Sequence, residues 1–276
     1  MTKKKTPTAP TKNPKPAKEV SPLPSFYETL KRTDVVSWLE PLRRKHGWRW
    51  RPGDLKLELR SSVSPVLPWI YTVSGREDCF LWTNIMFDNM SQRTSLQFIP
   101  EYCHGCFKVV ARPKTVVQLF AIERLQYAIG RPAKCGIEVR DYVPALYGAY
   151  WYNRGVEAGR ECYQAVRDAV DADPVLGPDV DVYLKHACTE MERKYGDSDK
   201  WDEPTKEQLD IEKIIIDNIV YDPRIQDQPT HFKNHTRRRW IEWAFQHGDE
   251  SYKVFTGGEP IEKPAVTYHE EEHDNG

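Results

Sequence analysis

The spacing of apolar positions predicts four short strands and two helices in the middle of the chain. Apolar and polar residues alternate in most of the strand segments, and the third segment is rich in tyrosine and tryptophan. Thr115 is a favourable N-cap for the first helix, and Gly130 is a favourable stop. The predicted strands cover residues 107–111, 136–143, 145–152 and 180–188, and the predicted helices cover residues 115–130 and 155–171.

The order of these elements is strand, helix, strand, strand, helix, strand. This is the order of the split βαβ, or ferredoxin-like, arrangement. The connection rules then predict a four-stranded antiparallel sheet with both helices on one face. The sequence therefore predicts an α+β protein with a central ferredoxin-like sheet.

Further elements are predicted on both sides of this centre. Before it lie a helical pattern over residues 24–46, an alternating strand at 55–59, and short strands at 69–73 and 79–87. After it lie a helix over residues 205–220 and a helix over residues 231–247, the latter carrying two tryptophans. In the first of these C-terminal helices, the residues predicted to be buried are Leu209, Ile211, Ile214, Ile215 and Ile219.

Composition sets the limits of these units. The N-terminal segment is rich in lysine, proline and threonine and has little to bury, and the C-terminal segment is acidic, so both are predicted to be solvated tails. The predicted organisation is a disordered basic tail at 1–24, a helix-plus-strand unit at 25–100, the ferredoxin-like domain at 101–200, C-terminal helices packed on the core at 201–256, and an acidic tail at 257–276.

Charge and hydropathy exclude some classes of protein. The net charge of −1 gives no overall attraction to nucleic acid or to a membrane, and no apolar run is long enough to cross a bilayer. The basic start has no apolar segment behind it, which argues against a secretory signal. We therefore expect a cytoplasmic protein whose six cysteines meet reducing conditions, where metal or thiol roles outrank disulfides.

Four cysteines are candidates for a metal site. Cys103 and Cys106 form a C-x-x-C pair before the first predicted strand, Cys135 lies near the start of the second, and Cys188 lies at the end of the fourth. In a split βαβ sheet these three positions fall at one edge. Four thiolates at one place suit a structural zinc ion or an iron–sulfur cluster. The sequence therefore predicts a zinc site, with an iron–sulfur cluster as the alternative.

Other interpretations of the cysteines stay open. Buried cysteine is common, so Cys135, Cys162 and Cys188 could each be a small core residue. A redox role for the C-x-x-C pair is weaker because the pair precedes a strand instead of opening a helix. His104 and His186 are spare candidate ligands, each also compatible with an ordinary polar position.

Aromatic and basic residues alternate on the sheet face that the two helices would leave open. Stacking rings interleaved with Lys and Arg are what single-stranded nucleic acid requires. An alternative is that other elements cover this face and its tyrosines are core. The candidate nucleic-acid-binding residues are Arg140, Tyr142, Tyr150, Tyr152 and Lys185 on the sheet, with Arg237 and Arg238 in the last helix.

Together these features predict a zinc-stabilised protein that acts on single-stranded nucleic acid. The alternative is an enzyme that uses the same cysteines for an iron–sulfur cluster or for a catalytic zinc, which needs only three ligands and an open position. A third possibility is a metal-free interaction protein in which every cysteine belongs to the core.

Overall fold

The computed structural model describes residues 39–40, 48–53, 56–59, 68–73, 99–220 and 228–261. The predicted basic tail, most of the helix predicted at 24–46, the strand predicted at 79–87 and the acidic tail beyond residue 261 lie outside the described residues.

Eight strands and six α-helices are found in the described residues. The strands are β1 (Trp48–Trp50), β2 (Leu57–Leu59), β3 (Trp69–Val73), β4 (Cys106–Arg112), β5 (Ala133–Ile137), β6 (Tyr147–Arg154), β7 (Asp181–His186) and β8 (Ile219–Val220). The helices are α1 (Glu101–His104), α2 (Val116–Ile129), α3 (Val156–Ala172), α4 (Thr189–Tyr195), α5 (Lys206–Asp217) and α6 (Thr230–Gln246), with short 3-10 helices at Ser198–Lys200 and Glu250–Phe255.

The strands form two sheets, and the protein is α+β as predicted. The larger sheet has the order β3-β5-β6-β4-β7, with every pair of neighbours antiparallel. The smaller sheet has the order β1-β2-β8, in which β1 and β2 are antiparallel and β2 and β8 are parallel. The strand at 69–73, predicted for the N-terminal unit, is therefore the outer strand of the central sheet.

One face of the large sheet packs against α2 and α3. Val109 and Ala111 of β4 and Trp151 of β6 lie on this face, and they are fully buried together with Leu119 of α2 and Val166 of α3. Each fully buried valine or leucine side chain contributes about 1.5–3 kcal/mol through burial. Because successive side chains of a strand point to opposite faces, the intervening residues of the same strands form the other face of the sheet.

Helix α2 has the ends that the sequence predicts. The Thr115 hydroxyl accepts a hydrogen bond from the backbone N–H of Gln118 at 3.2 Å. At the other end Gly130 adopts a left-handed conformation with φ of 69°. A second anchor comes from far along the chain, because a carboxylate oxygen of Asp249 accepts the Val116 N–H at 2.6 Å. The side chain of Asp249 thus satisfies a helix-end donor that the helix itself cannot.

Two glycines allow close approach of neighbouring elements. A Cβ atom at Gly136 would lie 2.0 Å from the carbonyl oxygen of Pro68, so only glycine lets β3 come so near β5. A Cβ atom at Gly159 in α3 would lie 2.9 Å from Leu184 Cδ1. The close packing of α3 on β7 thereby explains why position 159 is a glycine although glycine is a weak helix former.

Two details of the predicted elements need correction. The second central strand is not 136–143 but Ala133–Ile137, because the Glu138 carboxylate accepts the Arg140 backbone N–H at 3.2 Å and turns the chain out of the sheet. In α5, Leu209 is exposed, whereas Glu212 and Ile215 are buried. The buried stripe of α5 therefore contains a carboxylate that the apolar pattern alone does not indicate.

Candidate functional site

The sheet face turned away from α2 and α3 carries a small second core. Val110 of β4 lies opposite Tyr150 of β6, and Lys108 lies opposite Tyr152. Tyr150 is 5% exposed and Tyr152 is 8% exposed, and Trp69 packs against them from β3. These two tyrosines are thus enclosed, in agreement with the alternative in which they belong to the core, and their rings are not open stacking surfaces.

Four cations surround the ring of Tyr150. Lys108 Nζ and Lys134 Nζ lie 5.9 and 5.5 Å from the ring centroid. The guanidinium carbons of Arg112 and Arg140 lie 5.5 and 5.9 Å from it. Cations at this distance are attracted by the electron-rich face of an aromatic ring. We call these four residues, with Tyr150 and Glu138, the Tyr150 cluster.

Hydrogen bonds fix the two arginines of the Tyr150 cluster. Arg112 Nη1 and Arg140 Nη2 donate to the phenolic oxygen of Tyr150 at 3.1 and 2.7 Å. The Tyr150 hydroxyl in turn donates to Glu138 Oε2 at 3.0 Å. Arg140 also donates to both carboxylate oxygens of Glu138, at 2.7 and 2.5 Å. The result is a rigid network with one buried carboxylate at its centre.

The Glu138 side chain is 0% exposed, and its charge is maintained by the arginines. Burial alone would raise the pKa of Glu138, but the hydrogen bonds and charge of Arg140 outweigh burial and lower it. Burial raises the pKa of Tyr150 to about 12, against the opposing effect of the two arginines. At neutral pH Glu138 is therefore ionised and Tyr150 is a neutral phenol.

A second carboxylate borders the cluster on α4. Glu190 Oε1 accepts from Arg140 Nη1 at 2.7 Å and from the Tyr142 hydroxyl at 3.1 Å. Partial burial would raise the pKa of Glu190, but its backbone hydrogen bond and Arg140 lower it. With Glu190 counted, four positive charges face two negative ones, and the region remains electropositive.

The predicted nucleic-acid-binding residues divide into two groups. Arg140, Tyr142, Tyr150, Tyr152 and Lys185 share the face of the Tyr150 cluster, and Lys185 is ion-paired with Glu192 of α4. Arg237 and Arg238 lie on α6, which packs on α2, β3 and β5.

Arg237 has a structural partner. Its guanidinium donates to both carboxylate oxygens of the buried Glu123 in α2, at 2.5 and 3.0 Å, while Arg238 is exposed. The two halves of the predicted surface are therefore not continuous.

Sequence reasoning missed several members of this site. Lys134 falls before the predicted start of the second strand, and Arg112 falls just after the predicted end of the first strand, beside Pro113. Trp69 comes from the predicted N-terminal unit. The usable signal was the presence of Lys or Arg on the same face of three strands: Lys108 and Arg112 in β4, Lys134 in β5 and Lys185 in β7.

The register separates Cys135 from the C-x-x-C pair. Cys106 lies opposite Arg154 of β6, whereas Cys135 lies opposite Ala149. Five residues of a strand span about 17 Å. Cys135 is fully buried in the main core, and burial raises the pKa of its thiol well above the usual range. This corrects the prediction that all four cysteines share one edge of the sheet. The first residue of β4 pairs with Arg154 of β6, whereas the first residue of β5 pairs with Trp151, three residues away from that end.

The other predicted ligands lie at one end of the sheet. The Ala187 N–H donates to the Cys106 carbonyl at 2.8 Å, which places Cys188 near Cys106, the first residue of β4, and Cys103 lies in α1 just before it. His186 Nε2 lies 2.8 Å from the His104 carbonyl oxygen, and its ring stacks on Phe107. Within the described ranges, no group of three or more His, Cys, Asp or Glu side chains is arranged to hold a metal ion.

Comparison with protein-family models, with curated proteins and with solved structures found no match to this chain. In the part of the chain that the structure describes, no helix is both long and apolar enough to cross a membrane.

Proposed function

We propose that the protein binds single-stranded nucleic acid on the sheet face that carries the Tyr150 cluster. The observation that supports this proposal is the group of four cations around Tyr150, two of which, Arg112 and Arg140, are held by hydrogen bonds to the Tyr150 hydroxyl. A fixed excess of positive charge on an aromatic face attracts a phosphate backbone without demanding a particular base.

The aromatic residues of this face have two different roles in the proposal. Tyr150 and Tyr152 are enclosed and do not stack on bases, and the Tyr150 hydroxyl holds Arg112 and Arg140 in place. Tyr183 of β7 is 39% exposed, and Tyr142 is half-buried with the Arg193 guanidinium 4.1 Å from its ring centroid. These two rings at the margin are the stacking surfaces in our proposal.

We also propose that the large sheet is a ferredoxin-like, split βαβ sheet with one strand added. Along the chain the elements run β4, α2, β5, β6, α3, β7. In space β7, β4, β6 and β5 are consecutive neighbours, and β3 continues the sheet beyond β5. This order supports the assignment, and it leaves one sheet face free of the two crossover helices.

The nucleic-acid proposal is tested by replacing one exposed arginine on this face. Arg193→Gln is expected to weaken binding of a labelled single-stranded oligonucleotide several-fold at low ionic strength. It should also reduce the slope of log affinity against log salt concentration by about 0.7, the effect of one lost phosphate contact. Fluorescence anisotropy over a salt series measures both quantities.

The matched control is Arg124→Gln, which removes an exposed arginine from α2 on the other side of the sheet. This variant should bind like the wild type. Equal effects of the two substitutions would place the nucleic acid elsewhere, and no binding at low ionic strength would end the proposal.

A second proposal concerns the sheet end that holds Cys103, Cys106 and Cys188. We propose a metal site there, with structural zinc as the first choice, and with an iron–sulfur cluster or a catalytic zinc enzyme as the alternatives. The supporting observation is that Cys188 follows Ala187, whose N–H donates to the Cys106 carbonyl at 2.8 Å. The backbone segments that carry Cys106 and Cys188 are thereby neighbours, although in the described residues the side chains there are not arranged as a group of three or more metal ligands.

Metal analysis of purified protein decides this second proposal. Cys103→Ser and Cys106→Ser are expected to lose the bound zinc or iron, whereas Cys135→Ala should retain it because Cys135 lies in the main core. Visible absorbance would identify a cluster. Identical metal content in the wild type and in the two serine variants would contradict the proposed metal site.

A further inference from the structure

A groove of about 830 Å³ opens beside the Tyr150 cluster. It lies where β4 ends and where β6 and β7 begin. Its polar lining consists of Arg112, Lys114, Asp181 and Tyr183, and Val143 and Pro144 belong to its apolar lining. A groove of this size, mostly apolar with a few polar groups, is typical of a site for a small ligand or for one unit of a chain.

The positive end of the groove is preorganised. Arg112 Nε donates to the Tyr183 hydroxyl at 3.3 Å, and Arg112 Nη1 donates to the Tyr150 hydroxyl at 3.1 Å. Two phenols thus hold the guanidinium in one place, and it keeps further N–H donors for a ligand. Lys114 is exposed two residues later and adds a second cation. Guanidinium and ammonium groups together suit a phosphate.

The remaining lining suits a flat base. Tyr183 offers a partly exposed ring directly beside Arg112, and Val143 and Pro144 supply apolar surface in the same groove. Asp181, opposite Arg112 in the strand register, offers carboxylate oxygens that can accept hydrogen bonds from an amino group. Cytosine, adenine and guanine carry such an amino group.

From this arrangement we infer that the groove holds one nucleotide of a bound single strand. Its phosphate contacts Arg112 and Lys114, its base stacks on Tyr183, and an amino-bearing base donates to Asp181. This inference deepens the proposed function and rests on it.

Cytidine 5′-monophosphate, cytidine and an oligo-deoxycytidylate are the probes. Tyr183→Ala is expected to lower the affinity for the nucleotide and for the oligomer about tenfold, the usual effect of losing one stacking ring. Lys114→Ala should weaken nucleotide binding and leave cytidine binding unchanged, because only the nucleotide carries a phosphate. Calorimetric titration of the full chain measures each affinity.

Two matched controls accompany these variants. Tyr127→Ala removes a ring of similar exposure, 42%, from α2, and Lys213→Ala removes an exposed lysine from α5. Both should bind like the wild type. If the nucleotide affinity is unchanged in Tyr183→Ala and Lys114→Ala, the inference that the groove binds a nucleotide is wrong. It is also wrong if the wild type does not bind the nucleotide.

The outcomes separate this inference from the broader proposal. If the oligomer binds, and its affinity falls in Arg193→Gln but is unchanged in Tyr183→Ala and Lys114→Ala, the proposed function stands and the inference fails. If the oligomer does not bind at low ionic strength, the proposed function fails. Nucleotide binding without oligomer binding would overturn the inference as well, because the groove would then serve a free nucleotide.

Discussion

Glu138→Ala is expected to lower the free energy of unfolding by about 3 kcal/mol. The carboxylate is fully buried between Arg140 and Arg112, at 2.5 and 3.6 Å, and it accepts from the Tyr150 hydroxyl. Its removal leaves two guanidinium groups and a phenol without their common anion in a poorly solvated place. Urea unfolding followed by circular dichroism measures the loss.

Glu190→Ala is the comparison for this substitution. Glu190 also pairs with Arg140, but its side chain is about half exposed, and exposed ion pairs contribute only about 0–1 kcal/mol. The two variants remove the same charge near the same arginine. Similar losses for both would mean that solvent reaches the Tyr150 cluster and that the network is not the rigid element described above.

Glu212→Gln is expected to make the protein more stable than the wild type at pH 8. Glu212 is 5% exposed, and its Oε1 accepts the Glu101 N–H at 2.9 Å. Burial, together with the charge of Glu101, raises its pKa from 4.5 to about 7, against the opposing effects of the Glu101 N–H and Arg154. Ionised Glu212 is therefore unfavourable in the folded state.

The pH window follows from these pKa values. Between about pH 4.5 and pH 7 the folded protein keeps a proton that the unfolded chain has released, so stability falls as the pH rises. The difference is on the order of 3 kcal/mol above pH 7. Glutamine keeps the acceptor oxygen and has no charge, so it removes this slope.

Unfolding experiments at pH 5 and pH 8 test this prediction, with Glu207→Gln as a matched control, since Glu207 is an exposed glutamate in the same helix. The wild type and the control should both lose stability between the two pH values, and Glu212→Gln should lose less. Parallel pH dependence in all three proteins would contradict the raised pKa of Glu212.

Local signals in the sequence predicted the elements well. The bounds of α2 follow from the hydroxyl of Thr115 and the left-handed turn at Gly130, both of which act within a few residues. The strand at Trp69–Val73 has the predicted extent because its alternation is local too. Such features depend on chain geometry over one or two turns, and so they are visible in one sequence.

The site depended on pairings that are distant in sequence. Strand register decides that Cys135 lies level with Ala111 and not with Cys106, and register is set by contacts such as Gly136 against Pro68. The partner of Arg237 is Glu123, more than a hundred positions away. The spacing of apolar residues along the chain does not indicate which distant residues pair. For that reason the cysteines predicted to lie together, and likewise the predicted basic residues, are found at separate places in the structure.

The position of β3 has a practical consequence for shortened forms of the protein. A fragment that starts at residue 99 lacks this strand, and the amides and carbonyls along one side of β5 would then be available to other molecules. Such fragments should aggregate by strand addition. Material for crystallisation or for ligand titration therefore needs to retain residues 68–73.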